Sequence, residues 1–431
     1  MSFTVPNRPS DVFERRESAV RSYCRAFPTT FVQARGATLV DDQDREYLDF
    51  LAGCSSLNYG HNHPALKSAL VAHIERDGVA HGLDLHTDAK RHFLETFEHI
   101  VLEPRGLDYR VMFPGPTGAN AVEAALKLAR KVTGRERVIA FTDGFHGMTL
   151  GALACTGNAT KRAGAGIALP GAEHAPYDGY FGPDVDTAAQ LERMLADPAS
   201  GIDAPAAFLV EVVQGEGGLN VASDGWLRSI ERLARNHGAL LVIDDIQAGC
   251  GRTGPFFSFE KAGVRPDVVT MAKSLSGLGL PMALTLIRPE LDVWSPGEHN
   301  GTFRGNNHAF VTAARAIELF WSDDSFQREI ERKGAHLGRR LREIAAAAEI
   351  ATRVKGRGMM RGIEMRSGAL AARVCAECFE RGLIIETSGA DDEVVKVLCP
   401  LTIDDAKLDA GLDILEQAIA AVSASVHRAT A

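Results

Sequence analysis

Between Tyr109 and Ile287, short apolar runs alternate with longer stretches whose apolar residues recur at helical spacing. Such runs have the length of buried strands, and the amphipathic stretches between them are long enough for helices. The pattern predicts strands over 110–113, 137–141, 206–212, 239–243, 267–271 and 282–287, with helices over 118–131 and 224–237. This alternation builds a mostly parallel sheet covered by helices on both faces. Residues 158–183, rich in Gly, Pro and Tyr, break the rhythm and read as a long functional loop. Upstream, 39–41 and 46–50 flank a polar turn and predict a small hairpin. Helical spacing recurs over 64–76 and 87–101, with Thr87 as the cap of the second helix.

After Asn307 the composition shifts to alanine- and charge-rich helices over 309–320 and 324–348. A Gly-containing stretch at 353–365, a helix near 371–380, strands near 382–386 and 394–398 and a helix over 404–422 follow. Residues 423–431 are expected to fray. A chain of 431 residues is too long for one small core. We therefore expect a large domain over 61–307 and a small α+β domain over 308–431, joined by the segment 1–60.

A net charge of -9 without a Lys/Arg-rich run argues against a nucleic-acid partner. No apolar stretch approaches the roughly 20 residues that cross a bilayer. Residues 1–16 are polar and mixed in charge, unlike a secretory signal. The seven cysteines, Cys24, Cys54, Cys155, Cys250, Cys375, Cys378 and Cys399, are odd in number and scattered, as in reduced thiols of a cytoplasmic protein. Cys375 and Cys378 lack the second ligand pair of a zinc site and read as two core-facing residues of one helix.

The candidate chemistry lies at two strand ends. The run Leu241-Val242-Ile243 ends in Asp244, Asp245 and Gln247, and the run that follows Pro266-Asp267 ends at Lys273. One strand delivering an acid and another a lysine is what a pyridoxal phosphate (PLP) enzyme requires. The lysine can bond the cofactor's aldehyde carbon, and the acid can keep the ring nitrogen protonated so that the ring accepts electrons. Strands that end in loops are common, so a solvated strand end stays open as the alternative for these residues alone. Gly115-Pro116-Thr117-Gly118-Ala119-Asn120 opens a helix whose free amides and dipole suit a phosphate dianion, although such a turn is weak evidence by itself.

Longer strings narrow the reading. They are Asn58-Tyr59-Gly60-His61-Asn62-His63-Pro64, His81-Gly82-Leu83-Asp84-Leu85-His86, Phe113 to Gly118, Pro176-Tyr177-Asp178-Gly179-Tyr180 and Pro296 to Thr302. With them the chain resembles the class III aminotransferases over residues 31–419, and within that group the L-2,4-diaminobutyrate:2-oxoglutarate aminotransferases of ectoine biosynthesis. The resemblance implies the fold-type I PLP-dependent transferase fold, an α/β architecture with a large, mostly parallel domain and a smaller α+β domain. It implies that Lys273 carries PLP and acts as the base that moves a proton between substrate and cofactor. Asp244 would pair with the pyridine nitrogen and raise its pKa, and Gln247 would bond the ring's phenolic oxygen. Asp245 stands where the family usually has Glu, and a structural hydrogen-bonding role is expected. Gly118 and Ala119 fall on the phosphate-binding pair; Ala119 offers no hydroxyl, so its contact would be main-chain. Phe145, within Gly144-Phe145-His146-Gly147, would stack on the ring. Thr302 matches a threonine that reaches the phosphate from a neighbouring subunit, which makes a homodimer the minimum active form. His61 with His63, and His81 with His86, fit no closed metal site, and no metal is expected.

The chain also departs from its relatives. Glutamate-using members often place an arginine for the distal carboxylate where this chain has Met148. A second family arginine, paired with a glutamate that corresponds to Glu216, becomes Lys396, a point charge in place of a bidentate fork. The usual Gly after Thr-Phe becomes Arg304, which we expect to replace some of the cationic function lost at Met148 or to form an interface ion pair. The implied reaction moves an amino group from L-glutamate to L-aspartate 4-semialdehyde. Another ω-aminotransferase of ornithine, acetylornithine or 4-aminobutyrate, diaminobutyrate supply for a siderophore, and a PLP-fold module without turnover are the alternatives.

Overall fold

The computed structural model describes residues 12–430. Most of the stretch read against a secretory signal lies outside these residues; its end, Val12–Arg16, forms a short helix. An antiparallel sheet comes first, from β1 (Phe31–Arg35), β2 (Thr38–Asp41) and β3 (Glu46–Asp49), the last two forming the predicted hairpin. The central region contributes β4 (Arg110–Met112), β5 (Val138–Phe141), β6 (Ala172–Ala175) and β7 (Ala207–Val210). Two-residue strands β8 (Val213–Gln214) and β9 (Asn220–Val221) precede β10 (Leu240–Asp244), β11 (Val268–Met271) and β12 (Leu284–Ile287). The C-terminal region adds β13 (Ala351–Arg357), β14 (Met360–Met365), β15 (Leu383–Ile384), β16 (Glu386–Ser388) and β17 (Val394–Val397).

The central sheet has seven strands in the order β4-β12-β11-β10-β7-β5-β6. The pairs from β11 through β6 are parallel, and β12 runs antiparallel to both of its neighbours. Its inner strands β5 and β7 are apolar throughout because both faces are covered. Ile139, Phe141, Phe208, Val210, Leu241 and Ile243 enter one core, while Val138, Ala140, Ala207, Leu209, Leu240 and Val242 enter another. Successive side chains thus point to opposite faces, as a strand's period of two dictates. Helices Gly118–Thr133 and Leu150–Cys155 cover the second face, and Thr187–Ala196, Asp224–His237 and Asn307–Trp321 the first. Thr87 caps helix Asp88–Thr96 by accepting from the Lys90 amide, as expected.

In the C-terminal region an antiparallel sheet of order β13-β14-β17-β16 packs with helices Ser325–Ala346, Gly368–Glu380 and Asp405–Thr430. β15 instead joins β3 in parallel, Leu383 beside Leu48, which ties the N-terminal sheet to this region. Among the described residues no helix is long and apolar enough to cross a membrane.

Two expectations need correction. Residues 158–183 are not an unbroken loop, for they contain helix Ala159–Ala163 and strand β6. The strand escapes a reading by hydrophobicity because it is an edge, paired only with β5, and its sequence Ala-Glu-His-Ala is mostly half-buried. The chain end does not fray at Ser423 either. The last helix runs to Thr430 because Val422 is buried, Val426 packs on the core and Ser425 hydrogen-bonds Arg373.

Candidate active site

Open α/β sheets bind ligands beyond the carboxyl ends of their strands. Here a cavity of about 390 Å³ lies at that edge, and Gly118, Ala119, Phe145, Asp244, Gln247 and Lys273 all line it. Six residues proposed from different segments of the chain therefore meet in one place.

Asp244 is the last residue of β10 and stands beside Thr270 of β11. Its Oδ1 accepts from the Thr270 hydroxyl at 3.3 Å and the Ile246 amide at 3.2 Å, and its Oδ2 meets His146 Nδ1 at 2.7 Å. Burial alone would lower the pKa of His146; the hydrogen bond and charge of Asp244, with the charge of Glu211, outweigh it and raise the value. The 2.7 Å contact with the imidazole therefore fixes the orientation of the Asp244 carboxyl group. The Gly144-to-Gly147 segment pointed to Phe145 alone, and His146 was missed.

Lys273 follows β11 by two positions with φ +51, a left-handed conformation that costs a non-glycine residue about 1–3 kcal/mol. The strain is held by Ser274, whose hydroxyl donates to the Ser55 carbonyl at 2.5 Å and accepts from the Asn58 amide at 3.1 Å. Burial lowers the pKa of the Lys273 amine, and the Glu216 carboxylate only partly opposes it. More of the amine is consequently neutral, the form that attacks carbonyls and accepts protons.

Glu211, just past β7, accepts from the amides of Phe145 at 2.9 Å and Gly215 at 3.3 Å, so it sets the loop that carries the aromatic ring. Burial raises its pKa. A carboxylate closing an otherwise apolar run was the available signal for it. Asp245 is buried and accepts from the Ser258 amide at 3.1 Å, a structural bond.

The end of the cavity expected to take the phosphate is a helix start. Thr117 and Asn120 form a capping box, and the first-turn amides of Gly118 and Ala119, which no helix can satisfy internally, open on the cavity. Gly147, at φ +134, lets its loop approach: a Cβ there would lie 2.8 Å from that of Ala119. Gln247 donates to Glu216 Oε1 at 3.1 Å and to the Cys54 carbonyl at 3.3 Å, which leaves its own Oε1 buried without a partner. An anion-ready helix start, an orphaned amide oxygen that a hydroxyl would satisfy, an aromatic ring, an acid and a lysine fit PLP.

Lys396 is fully buried on β17 and does not line the cavity, but it contacts Glu216, which does. Its amine lies 3.0 Å from Glu216 and 3.0 Å from Glu386, the residue directly across from it on β16. Burial opposes charge on Lys396, but the two carboxylates outweigh that and raise its pKa. Burial likewise opposes charge on Glu216, yet Lys396 and Lys273 hold it below the usual carboxylate range. Glu386, more affected by burial and by Glu216, sits above that range. Glu386 was also missed, although alternation on two adjacent predicted strands places it opposite Lys396.

Thr302 and Met148 are exposed and Arg304 is half-buried, its guanidinium donating to Asn300 Oδ1 at 3.3 Å. A single chain does not bring Thr302 or Arg304 to the cavity. Among the described residues no group of three or more His, Cys, Asp or Glu could hold a metal ion, and the cysteines are free thiols.

With the geometry in place, similarity to known proteins becomes informative. The family described as aminotransferase class-III matches residues 20–419. Diaminobutyrate–2-oxoglutarate transaminase of Nocardia farcinica is 58% identical over 95% of this chain and 94% of its own length. The protein of the same description from Vibrio cholerae is 56% identical over 95% of this chain and 99% of its own. Among solved structures, ornithine aminotransferase from Toxoplasma gondii superposes with a TM-score of 0.83 at 29% identity, covering 96% of this chain and 94% of that one. Acetylornithine aminotransferase from Elizabethkingia anophelis does so at 0.77 and 25% identity, covering 94% and 97%. The chain belongs to the class III aminotransferases, the PLP-dependent enzymes of fold type I.

Proposed function

We propose that this enzyme is a diaminobutyrate–2-oxoglutarate transaminase. Loss of the terminal amine from L-2,4-diaminobutyrate leaves L-aspartate 4-semialdehyde, and amination of 2-oxoglutarate gives L-glutamate. In the synthetic direction glutamate donates and the semialdehyde accepts. The observation that carries the substrate is the 58% identity over 95% of the chain to a relative of that description. The geometry agrees in one respect: Lys396, the buried cation behind Glu216, is already paired with Glu216 and Glu386. A site so balanced tolerates a reacting carbon without a carboxylate, as in diaminobutyrate.

Bound at Lys273, PLP supplies an electron sink for the bond broken at the substrate carbon. Lys273, with its depressed pKa, takes the proton from that carbon and returns it on the other side. Asp244, oriented by His146, holds the proton on the ring nitrogen, and Gln247 bonds the phenolic oxygen. Phe145 covers one ring face, while the amides of Gly118 and Ala119 hold the phosphate. Glu216 covers Lys396 when the reacting carbon bears no carboxylate and moves aside for glutamate. Thr302 completes the phosphate site of a second copy, so the active form is a homodimer, and Arg304 forms an ion pair at that seam. We assign the protein to the cytoplasm and to ectoine synthesis.

Product analysis tests the substrate. Holoenzyme given glutamate and aspartate 4-semialdehyde should form diaminobutyrate at least tenfold more efficiently than it transaminates ornithine or 4-aminobutyrate. Equal or better use of either amine overturns the assignment.

A further inference from the structure

The resemblance left unresolved which cation receives the carboxylate remote from the reacting carbon, since Met148 cannot. Four cations come into question, and three are already engaged. Lys273 is the cofactor lysine. Lys396 is fully buried between two carboxylates at 3.0 Å each. Arg304 lies off the cavity, hydrogen-bonded to Asn300. The fourth is Lys161, and among the described residues it has no carboxylate within ion-pair distance. Its amine instead lies 4.8 Å from the centroid of the Phe145 ring.

That ring connects two spaces. Phe145 and Glu216 line both the main cavity and a recess of about 300 Å³, and Lys161 lines only the recess. Asn158 caps the short helix that carries Lys161 by accepting from the Lys161 amide at 3.0 Å, which anchors the backbone and leaves the side chain to reach. Asp143 and Asp391 line the same recess. A cation beside carboxylates is the complement of a zwitterion, the unreacting end of diaminobutyrate. A lysine over an aromatic face, with no carboxylate within ion-pair distance among the described residues, gains a full charge-assisted bond when a carboxylate arrives.

The two substrates make one such position sufficient. In glutamate two carbons intervene between the reacting C2 and the distal carboxylate carbon C5. In diaminobutyrate two carbons intervene between the reacting C4 and the carboxylate carbon C1. Resting on the function proposed above, we infer that Lys161 binds this remote carboxylate in both half-reactions, with Asp143 and Asp391 receiving the α-ammonium of diaminobutyrate.

The test compares holoenzyme with Lys161→Met and Lys161→Arg on glutamate, diaminobutyrate and 1,3-diaminopropane, which is diaminobutyrate without its carboxylate. Losing one charge-assisted bond should lower kcat/KM for glutamate and diaminobutyrate about 10- to 100-fold in Lys161→Met. The value for 1,3-diaminopropane should change less than about threefold, and Lys161→Arg should restore most of the difference. The dissociation constant of glutarate, a non-reacting dicarboxylate read from the bound cofactor's absorbance, should rise in parallel. Equal losses on all three amines, or unchanged glutarate binding, overturn the inference. Failure of the underlying reading is distinguishable, because the unmodified enzyme would then not transaminate diaminobutyrate at all.

Discussion

Glu216→Gln should tilt the enzyme towards glutamate. Glutamate brings a carboxylate on its reacting carbon, whereas diaminobutyrate brings only hydrogens there, so an anion beside Lys273 that has to move aside penalises glutamate alone. At ~5 Å and an effective dielectric constant of ~20 the repulsion is roughly 3 kcal/mol, and water in an open cavity reduces it to about half. The expected shift in the ratio of half-reaction efficiencies is therefore about 10- to 100-fold in favour of glutamate. Gln keeps an acceptor for the Gln247 amide that now reaches Glu216 at 3.1 Å. Lys396 retains Glu386 at 3.0 Å, so the substitution strands no buried charge. Losing Glu216 also removes an anion that raises the pKa of Lys273, but that acts on both half-reactions and cancels in the ratio. Rapid mixing of holoenzyme with each amine alone, followed through the cofactor's absorbance, gives the two efficiencies directly. A ratio within twofold of the unmodified enzyme refutes the role given to Glu216.

Two further outcomes follow from the packing. Gly215→Ala should weaken cofactor affinity at least tenfold in an absorbance titration of the apoprotein, because the new Cβ would lie 1.5 Å from Gln247 Oε1 and displace that amide. Asp245→Asn should raise the melting temperature more at pH 8 than at pH 5. Burial lifts the Asp245 pKa from 3.8 to about 7, so the stability linked to its proton is lost as pH climbs from about 4 through 7, and a neutral amide escapes that loss.

The sequence was most legible where structure is local. Strand β10 and helix Asp224–His237 follow from contiguous apolar periodicity, the latter with a Ser223 side-chain cap and Gly238 in the left-handed region. Asp244 and Lys273 were found because their chemistry depends on ending buried strands. Strand β6 was invisible because an edge strand needs no apolar run. His146 stayed hidden for a different reason. Its partner Asp244 lies 98 positions away, and pairing of this kind is created by sheet order. Lys161 had no signal at all, since only the recess beside Phe145 distinguishes it from a solvated lysine.

The same distinction predicts what Lys396→Met would do. Lys396 is one cation between two carboxylates, and removing one partner of a buried ion pair costs about 3–5 kcal/mol because the other charge is left uncompensated. Here two carboxylates would be left, and they repel each other. Glu216, now held low by Lys396, would rise above its unfolded value through burial and the proximity of Glu386. A raised folded-state pKa contributes stability that is present below the unfolded value near 4.5 and lost as pH rises. The melting temperature of Lys396→Met should therefore fall further below that of the unmodified enzyme at pH 8 than at pH 5. Adding Glu386→Gln to Lys396→Met should recover part of the deficit at pH 8 and little at pH 5. A deficit independent of pH would mean that the methionine fails by packing alone, and that Lys396 does not hold the two carboxylates as a charged unit.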